Sequence, residues 1–257
     1  MPEIDEFSLT TVPIELRFNE THLSHGTAFT WRDRESHFLI TNWHNVSGRD
    51  PNTNKHLSKT AAEPNMLHAF FNSKDKNLGD KHLIKMQIRN EYEVFWYVHP
   101  ALKRKVDLVA IPLVGDIVST IEFYPLNKMG STDLLVKIGM DVFILGYPFG
   151  RGKTGLPVWK RGSIASEPDL VPIVDNYLLV DTASRPGMSG SPVILRSVGT
   201  HLTQGNNFVV SGDTANKLIG VYSGRLHTQD PLDAQIGMVW PVVYIEEIIA
   251  GRLREYG

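Results

Sequence analysis

Ser189 stands in Gly187-Met188-Ser189-Gly190-Ser191, a turn whose glycines leave a hydroxyl open to approach. Gly187 can take backbone angles closed to other residues, and Gly190 removes a side chain from beside the hydroxyl. The N–H groups of residues 187 to 189 can then point into one small space, holding the negative oxygen that develops when a serine attacks a carbonyl. The wider stretch from Ser184 to Val193 also fits a hairpin turn rich in Gly and Ser. Chemistry here therefore requires partners elsewhere in the chain.

A serine hydroxyl is a weak nucleophile at neutral pH and needs a base, usually a histidine held in one orientation by a carboxylate. Of the ten histidines, His44 stands apart, because it follows the apolar run Phe38-Leu39-Ile40 where a strand passes into a turn. Asp107 lies at the mouth of the apolar run Leu108-Val109-Ala110-Ile111, where an unpaired acid is costly to bury. Each residue alone also fits a structural role, a hydrogen-bonded histidine or an aspartate capping a strand. The chain has no cysteine. The nucleophile must then be an oxygen or an amine, and disulfides and thiolate metal sites are excluded.

Such residues need rigid edges to stand on. Residues 12–18 alternate apolar and polar side chains, the period of a strand with one buried face. Further strands are predicted at 26–31, 37–41, 66–71, 83–88, 93–98 and 108–111, and a second series at 141–146, 158–164, 177–180, 192–195, 218–222 and 236–240. Many short strands divided by polar turns suggest barrels or a sandwich. Between the first strands, residues 46–65 turn to Asn, Lys, Ser, Asp and Pro without periodicity and read as a mobile surface excursion. Residues 115–131 read as a connector. Only the end has helical spacing, with Val242, Ile245, Ile248 and Ile249 on one face and Glu246 and Glu247 turned away.

The 257 residues, 42% apolar, suffice for one large domain or two small ones sharing a cleft. A formal charge of −2 with scattered Lys and Arg argues against a nucleic-acid partner. The one dense basic run, Lys103-Arg104-Lys105, has no interleaved aromatics and reads as a solvated loop. The acidic opening Met1-Pro2-Glu3-Ile4-Asp5-Glu6 is not a secretory signal, and no segment is long and apolar enough to cross a bilayer. The chain is thus expected in the cytoplasm, although a protein trimmed of its signal would look the same. No His-Glu-x-x-His helix appears and the histidines are dispersed, so no metal or other cofactor is expected.

Taken together, the three stretches occur in the order His, Asp, Ser and resemble the trypsin-like serine peptidases. Thr41-Asn42-Trp43-His44 resembles the family's histidine motif, Asp107-Leu108-Val109-Ala110 its aspartate motif, and Gly187-Met188-Ser189-Gly190-Ser191-Pro192 its serine motif. Gly146-Tyr147-Pro148-Phe149-Gly150 is similar to a turn of the HtrA/Deg-type branch. Ser191, where many members have Gly, is similar to the glutamyl-endopeptidase-type branch. The likeness runs from about Gly26 to about Pro241. No PDZ-like domain is expected after the terminal helix.

The resemblance implies an all-β fold of two antiparallel six-stranded Greek-key β-barrels with a C-terminal helix and the active site between the barrels. The first barrel would span 1–115 and carry His44 and Asp107; the second would span 116–241 and carry Ser189; the helix would occupy 242–257. It further implies a polypeptide substrate, cleaved through a Ser-His-Asp triad and an acyl-enzyme. The N–H groups of Gly187 and Ser189 would form the oxyanion hole. Ala183 would approach the base of the primary pocket, and Tyr222, Ser223 and Gly224 would form a wall for the substrate strand. Met188 replaces the aspartate by which digestive members are activated, and Ala183 offers no carboxylate for Lys or Arg. A modest apolar side chain is the expected preference. The competing readings are an inactive peptide-binding relative and an esterase of the α/β-hydrolase type. The esterase would need His201 or His227 as base.

Overall fold

The computed structural model describes residues 4–73, 80–115, 117–130, 132–150, 154–171, 173–174, 176–183, 185–225 and 235–255. Ser184 and His227 lie outside them, as does the side chain of Arg225. Secondary structure begins with a short helix, α1 (Phe7–Thr10). The first antiparallel sheet follows: β1 (Thr11–Phe18), β2 (Thr21–Asp33), β3 (Ser36–Thr41), β4 (Met66–Ser73), β5 (Lys81–Gln87) and β6 (Val109–Leu113). Its strand order is β5-β4-β1-β2-β3-β6, with the two-residue β7 (Ile121–Glu122) added beside β4. A helix, α2 (Trp43–Ser47), follows β3, and another, α3 (Ile117–Thr120), precedes β7. The strands β8 (Asp141–Gly146), β9 (Val158–Ile164), β10 (Leu178–Asp181), β11 (Pro192–Thr203), β12 (Asn207–Arg225) and β13 (Ile236–Pro241) close into a second barrel. The last helix is α4 (Val243–Gly251). No helix among the described residues is long and apolar enough to cross a membrane.

Three apolar cores explain why so many strands read as apolar on both faces. In β2, Ala28 enters the first core, while its neighbours Phe29 and Trp31 enter a second core that lies between the sheets and includes α4. In β3, Leu39 faces the first core and Phe38 and Ile40 the second. In β11, Val193 and Leu195 fill the closed barrel, and Ile194 points back to the shared core. Successive side chains of a strand point to opposite faces, so a strand buried on both sides loses its alternating pattern. That shared core fixes the ends of β3 and β6 against the barrel that carries Ser189.

The structure departs from the sequence reading in several places. Residues 93–98, predicted as a strand, form only isolated bridges, Arg89 to Val94, Tyr97 to Ala110 and Val98 to Leu253. Phe95 N–H donates to Ile88 O at 2.8 Å, and Tyr97 and Ala110 exchange bonds of 2.9 and 3.1 Å. This irregular segment links the β5 end of the first sheet to β6, where no regular strand pair does so. The connector stays with the first sheet beyond residue 115, because β7 pairs with β4 and Asn127 Nδ2 donates to Arg32 O at 2.8 Å. Sequence reasoning also cut β11 and β12 short. Their outer halves run to a turn at Gly205 and Asn206, with Phe208 and Val210 exposed, and an unburied ribbon has no apolar alternation to betray it.

Two local outcomes matter for the site. The excursion at 46–65 is tied down: Glu63 takes Arg49 Nε at 2.5 Å and also pairs with Arg89, and Leu57 N–H donates to Gly48 O at 2.8 Å. In α4, Ile245, Ile248 and Ile249 are buried as their spacing predicts. Glu247 is exposed, as expected, and also accepts from His99 Nε2 at 2.5 Å. The Nδ1 of His99 receives the N–H groups of Ala101 and Leu102, which leaves the ring proton on Nε2.

Candidate active site

Pairing of Thr41 with Val109 sets the end of β3 beside the start of β6, and so brings the turn after one next to the residue before the other. Asn42, at the N-cap of α2, donates from Nδ2 to Asp107 O at 2.8 Å. His44 N–H donates to Asp107 Oδ1 at 2.8 Å, and His44 Nδ1 lies 2.6 Å from Asp107 Oδ2. The hydroxyl of Ser223, from the other barrel, also donates to Asp107 Oδ2. Asp107 is 1% exposed, so this carboxylate is buried with a donor on each of its oxygens. A charged Asp107 keeps the His44 proton on Nδ1 and leaves Nε2 free to accept. Burial works to lower the His44 pKa, but the charge of Asp107 and its hydrogen bond, with a smaller push from Asp50, raise it above the ordinary imidazole value.

The Ser189 turn is gripped from both barrels. Ser189 O accepts from Thr27 N–H at 2.9 Å and from Asn45 Nδ2 at 3.3 Å. Thr27 Oγ1 donates to Gly187 O at 2.8 Å, and Thr41 Oγ1 to Thr27 O at 2.8 Å. From β12, Tyr222 O receives Gly190 N–H at 2.9 Å and Tyr222 N–H donates to Ser191 O at 2.8 Å. Gly187 and Gly190 have φ of +93° and +87°, the left-handed region that their lack of Cβ permits. Among the described residues no carbonyl accepts from the N–H of Gly187 or Ser189. The Ser189 hydroxyl makes no hydrogen bond among them either, and none joins it to His44.

A side chain at 190 would collide with Thr27 O and Thr41 Oγ1, both of them parts of the clamp. Gly190→Ala is expected to cost roughly 3 kcal/mol of stability, combining left-handed strain with a backbone clash. Urea unfolding checks this, with an unchanged midpoint as the contrary result.

Met188 and Ser191 anchor the turn from below. Met188 is buried in the closed-barrel core, so the residue before Ser189 acts by packing where digestive relatives use an ion pair. Ser191 is also fully buried, and a Cβ at Gly146 would strike its hydroxyl. That contact gives a physical reason for the glycine that opens Gly146-Tyr147-Pro148. Of the expected wall, Tyr222 turns its ring into the core over Gly237 and spends its backbone on the serine turn. Ser223 directs its hydroxyl to Asp107, and Gly224 lies so that a Cβ there would be 3.9 Å from Ser189 Oγ. Ala183 is half-buried at the end of β10. Beside Asp107 and Ser223 a cleft of about 330 Å³ opens, lined by Leu102, Tyr177, Met238 and Trp240 and bordered by Pro51 and Asn52 of the 46–65 excursion.

Sequence reasoning missed the polar residues that hold the cluster. Asn42 and Asn45 flank His44, and buried amides beside a candidate base were the available signal. Thr27, Thr41 and the hydroxyl role of Ser223 depend on contacts far apart in sequence. His201, the alternative base, pairs with Val209 in the outer ribbon, far along β11 from Pro192. Among the described residues no cluster of His, Asp and Glu could hold a metal ion.

A sequence profile of the trypsin-like peptidase domain matches residues 26–199. No curated protein matches by sequence. Among solved structures, the Rv3671c protease from M. tuberculosis, in its active form, is similar at 16% identity and a TM-score of 0.50, over 97% of this chain and 83% of that one. The serine endoprotease from Yersinia pestis is similar at 14% identity and a TM-score of 0.51, over 95% of this chain and 62% of that one. At such identities these two likenesses speak to the fold, while the profile covers most of the chain and both candidate polar motifs of the first barrel. The chain belongs to the trypsin-like peptidase family and is a peptide hydrolase.

Proposed function

We propose that the protein is a serine endopeptidase in which Ser189 attacks the scissile carbonyl. His44 takes the serine proton through Nε2 and then delivers it to the leaving amine. Asp107 holds the imidazole tautomer and stabilises the imidazolium, and Ser223 and Asn42 hold Asp107. The N–H groups of Gly187 and Ser189 receive the oxyanion, each donor worth roughly 2.7 to 4 kcal/mol of barrier. Water attacks the acyl-enzyme in turn, with His44 again as base, and restores Ser189. Bound substrate excludes water and brings the serine hydroxyl within reach of Nε2, since catalytic hydrogen bonds often tighten only in the complex.

The observation that carries this reading is the buried Asp107 carboxylate, which places both of its oxygens on His44 while Ser223 reaches it from the other barrel. A fluorophosphonate probe tests it: one adduct is expected, mapped by mass spectrometry to Ser189. Peptide binding without labelling would instead mark an inactive relative. The substrate strand would lie along Ser223 and Gly224, its acyl side toward the cleft floored by Tyr177 and Trp240. With Ala183 near the primary pocket, a modest apolar side chain is expected before the cut. Cleavage profiling of a mixed peptide library measures this, and a dominant Lys or Arg preference contradicts it.

A further inference from the structure

A second, polar cavity of about 570 Å³ opens between the β2–β3 turn, the connector at Lys128, and α4. It lies roughly 20 Å along β2 from Thr27, since each strand residue advances about 3.3 Å. Arg32, Arg34, Lys128 and Arg252 line it, against the carboxylates of Asp33 and Glu246. Four cations facing two anions give a positive hollow on a chain of net charge −2. Arg32 leans on Glu35 at 3.4 Å; among the described residues Arg34, Lys128 and Arg252 have no carboxylate partner. The wall is already built. Arg32 N–H donates to Asn127 Oδ1 at 3.0 Å, and Arg32 Nε donates to Arg34 O at 2.8 Å.

The backbone supplies an independent reason to regard these arginines as functional. Arg34 has φ of +51° and Arg252 φ of +46°. Arg34 opens the two-residue connection from β2 to β3, and Arg252 caps α4. Gly or Asn usually fills both kinds of position, because a Cβ crowds the left-handed conformation. A cation at the C-terminus of α4 gains from the helix dipole, but no such gain explains Arg34. Two arginines in a disfavoured backbone thus converge on one cavity.

We propose that this cavity binds a small, multiply charged oxyanion, with the guanidinium groups and Lys128 holding its phosphate or carboxylate groups. Planar guanidinium forks suit both groups, and the volume suits a metabolite-sized ligand. Asp33 and Glu246 can accept from ligand hydroxyls, and their charge opposes a long polyanion. The ligand would bridge the β2–β3 turn to α4, independently of the chemistry at Ser189.

Calorimetric titration with pyrophosphate and with citrate, at ionic strength matched with sodium chloride, tests the site. One saturable site per chain is expected for at least one probe, and the ratio of affinities tells a phosphate ligand from a carboxylate one. Arg34→Gly combined with Arg252→Gly should weaken binding at least tenfold, while the ligand-free unfolding temperature holds or rises because Gly accepts the left-handed backbone. Lys128→Gln, which touches neither turn, should weaken binding several-fold. The absence of saturable binding by both probes, or undiminished binding by the double variant and by Lys128→Gln, overturns the proposal.

Discussion

Ser189→Ala should lower peptide turnover by about 10⁶-fold while leaving the folded protein intact. A triad acts as a unit, so loss of the nucleophile removes nearly all of its contribution, leaving roughly 10³ to 10⁴ over water from the oxyanion donors and binding. Ordinarily a serine with a hydrogen-bonded hydroxyl is risky to replace, because its partners are left unpaired. Here the hydroxyl makes no hydrogen bond among the described residues, and the turn is held through Ser189 O, Gly187 O and Gly190 N–H, which alanine keeps. The unfolding free energy should therefore change by no more than about 0.5 kcal/mol. Turnover is read with an internally quenched peptide and folding by urea titration. Retention of even a hundredth of the activity would remove Ser189 from the mechanism, and a large drop in stability would show that its hydroxyl has a structural partner.

The parts of the site that were legible in sequence are those carried by local signals. His44 and Asp107 each adjoin an apolar strand, and a polar group at the edge of a buried run must be paired or exposed. Gly187 and Gly190 mark a left-handed turn because other residues rarely adopt one. The clamp was hidden because its donors come from β2, α2 and β12, and only folding makes Thr27, Asn45 and Tyr222 neighbours of Ser189. Ser223 is expected from the resemblance to belong to a substrate wall, and nothing in its local sequence reveals that its hydroxyl turns to Asp107. At the level of fold, the doubly buried strands β3, β6 and β8 were conspicuous. The outer ribbon of β11 and β12 and the bridged segment at 93–98 were misjudged, because the first buries little apolar surface and the second is apolar without regular pairing. Met188 shows the same limit: its type argued against an ion pair, but only the closed-barrel core shows what it does.

Asp107→Asn should lower kcat by about 10⁴-fold and shift the acid limb of the pH profile to lower pH. The amide can still accept through one oxygen, but its other group becomes a donor facing His44 Nδ1 and the Ser223 hydroxyl, both of which donate to the native carboxylate. Relief of that conflict places the imidazole proton on Nε2, where it can no longer accept from serine. The pH response follows from the same geometry. In the native protein the Asp107 charge and hydrogen bond outweigh burial and raise the His44 pKa, so the neutral base, and with it activity, grows in through a pH above about 6.5. Removing the carboxylate leaves burial dominant, which lowers the pKa; only the smaller push from Asp50 opposes it. The residual activity of the variant should therefore reach its plateau at a lower pH than the native enzyme. Both profiles can be measured as kcat/KM for one peptide, with unfolding followed across the same range. An acid limb that stays in place, or moves upward, would mean that Asp107 does not set the charge of His44.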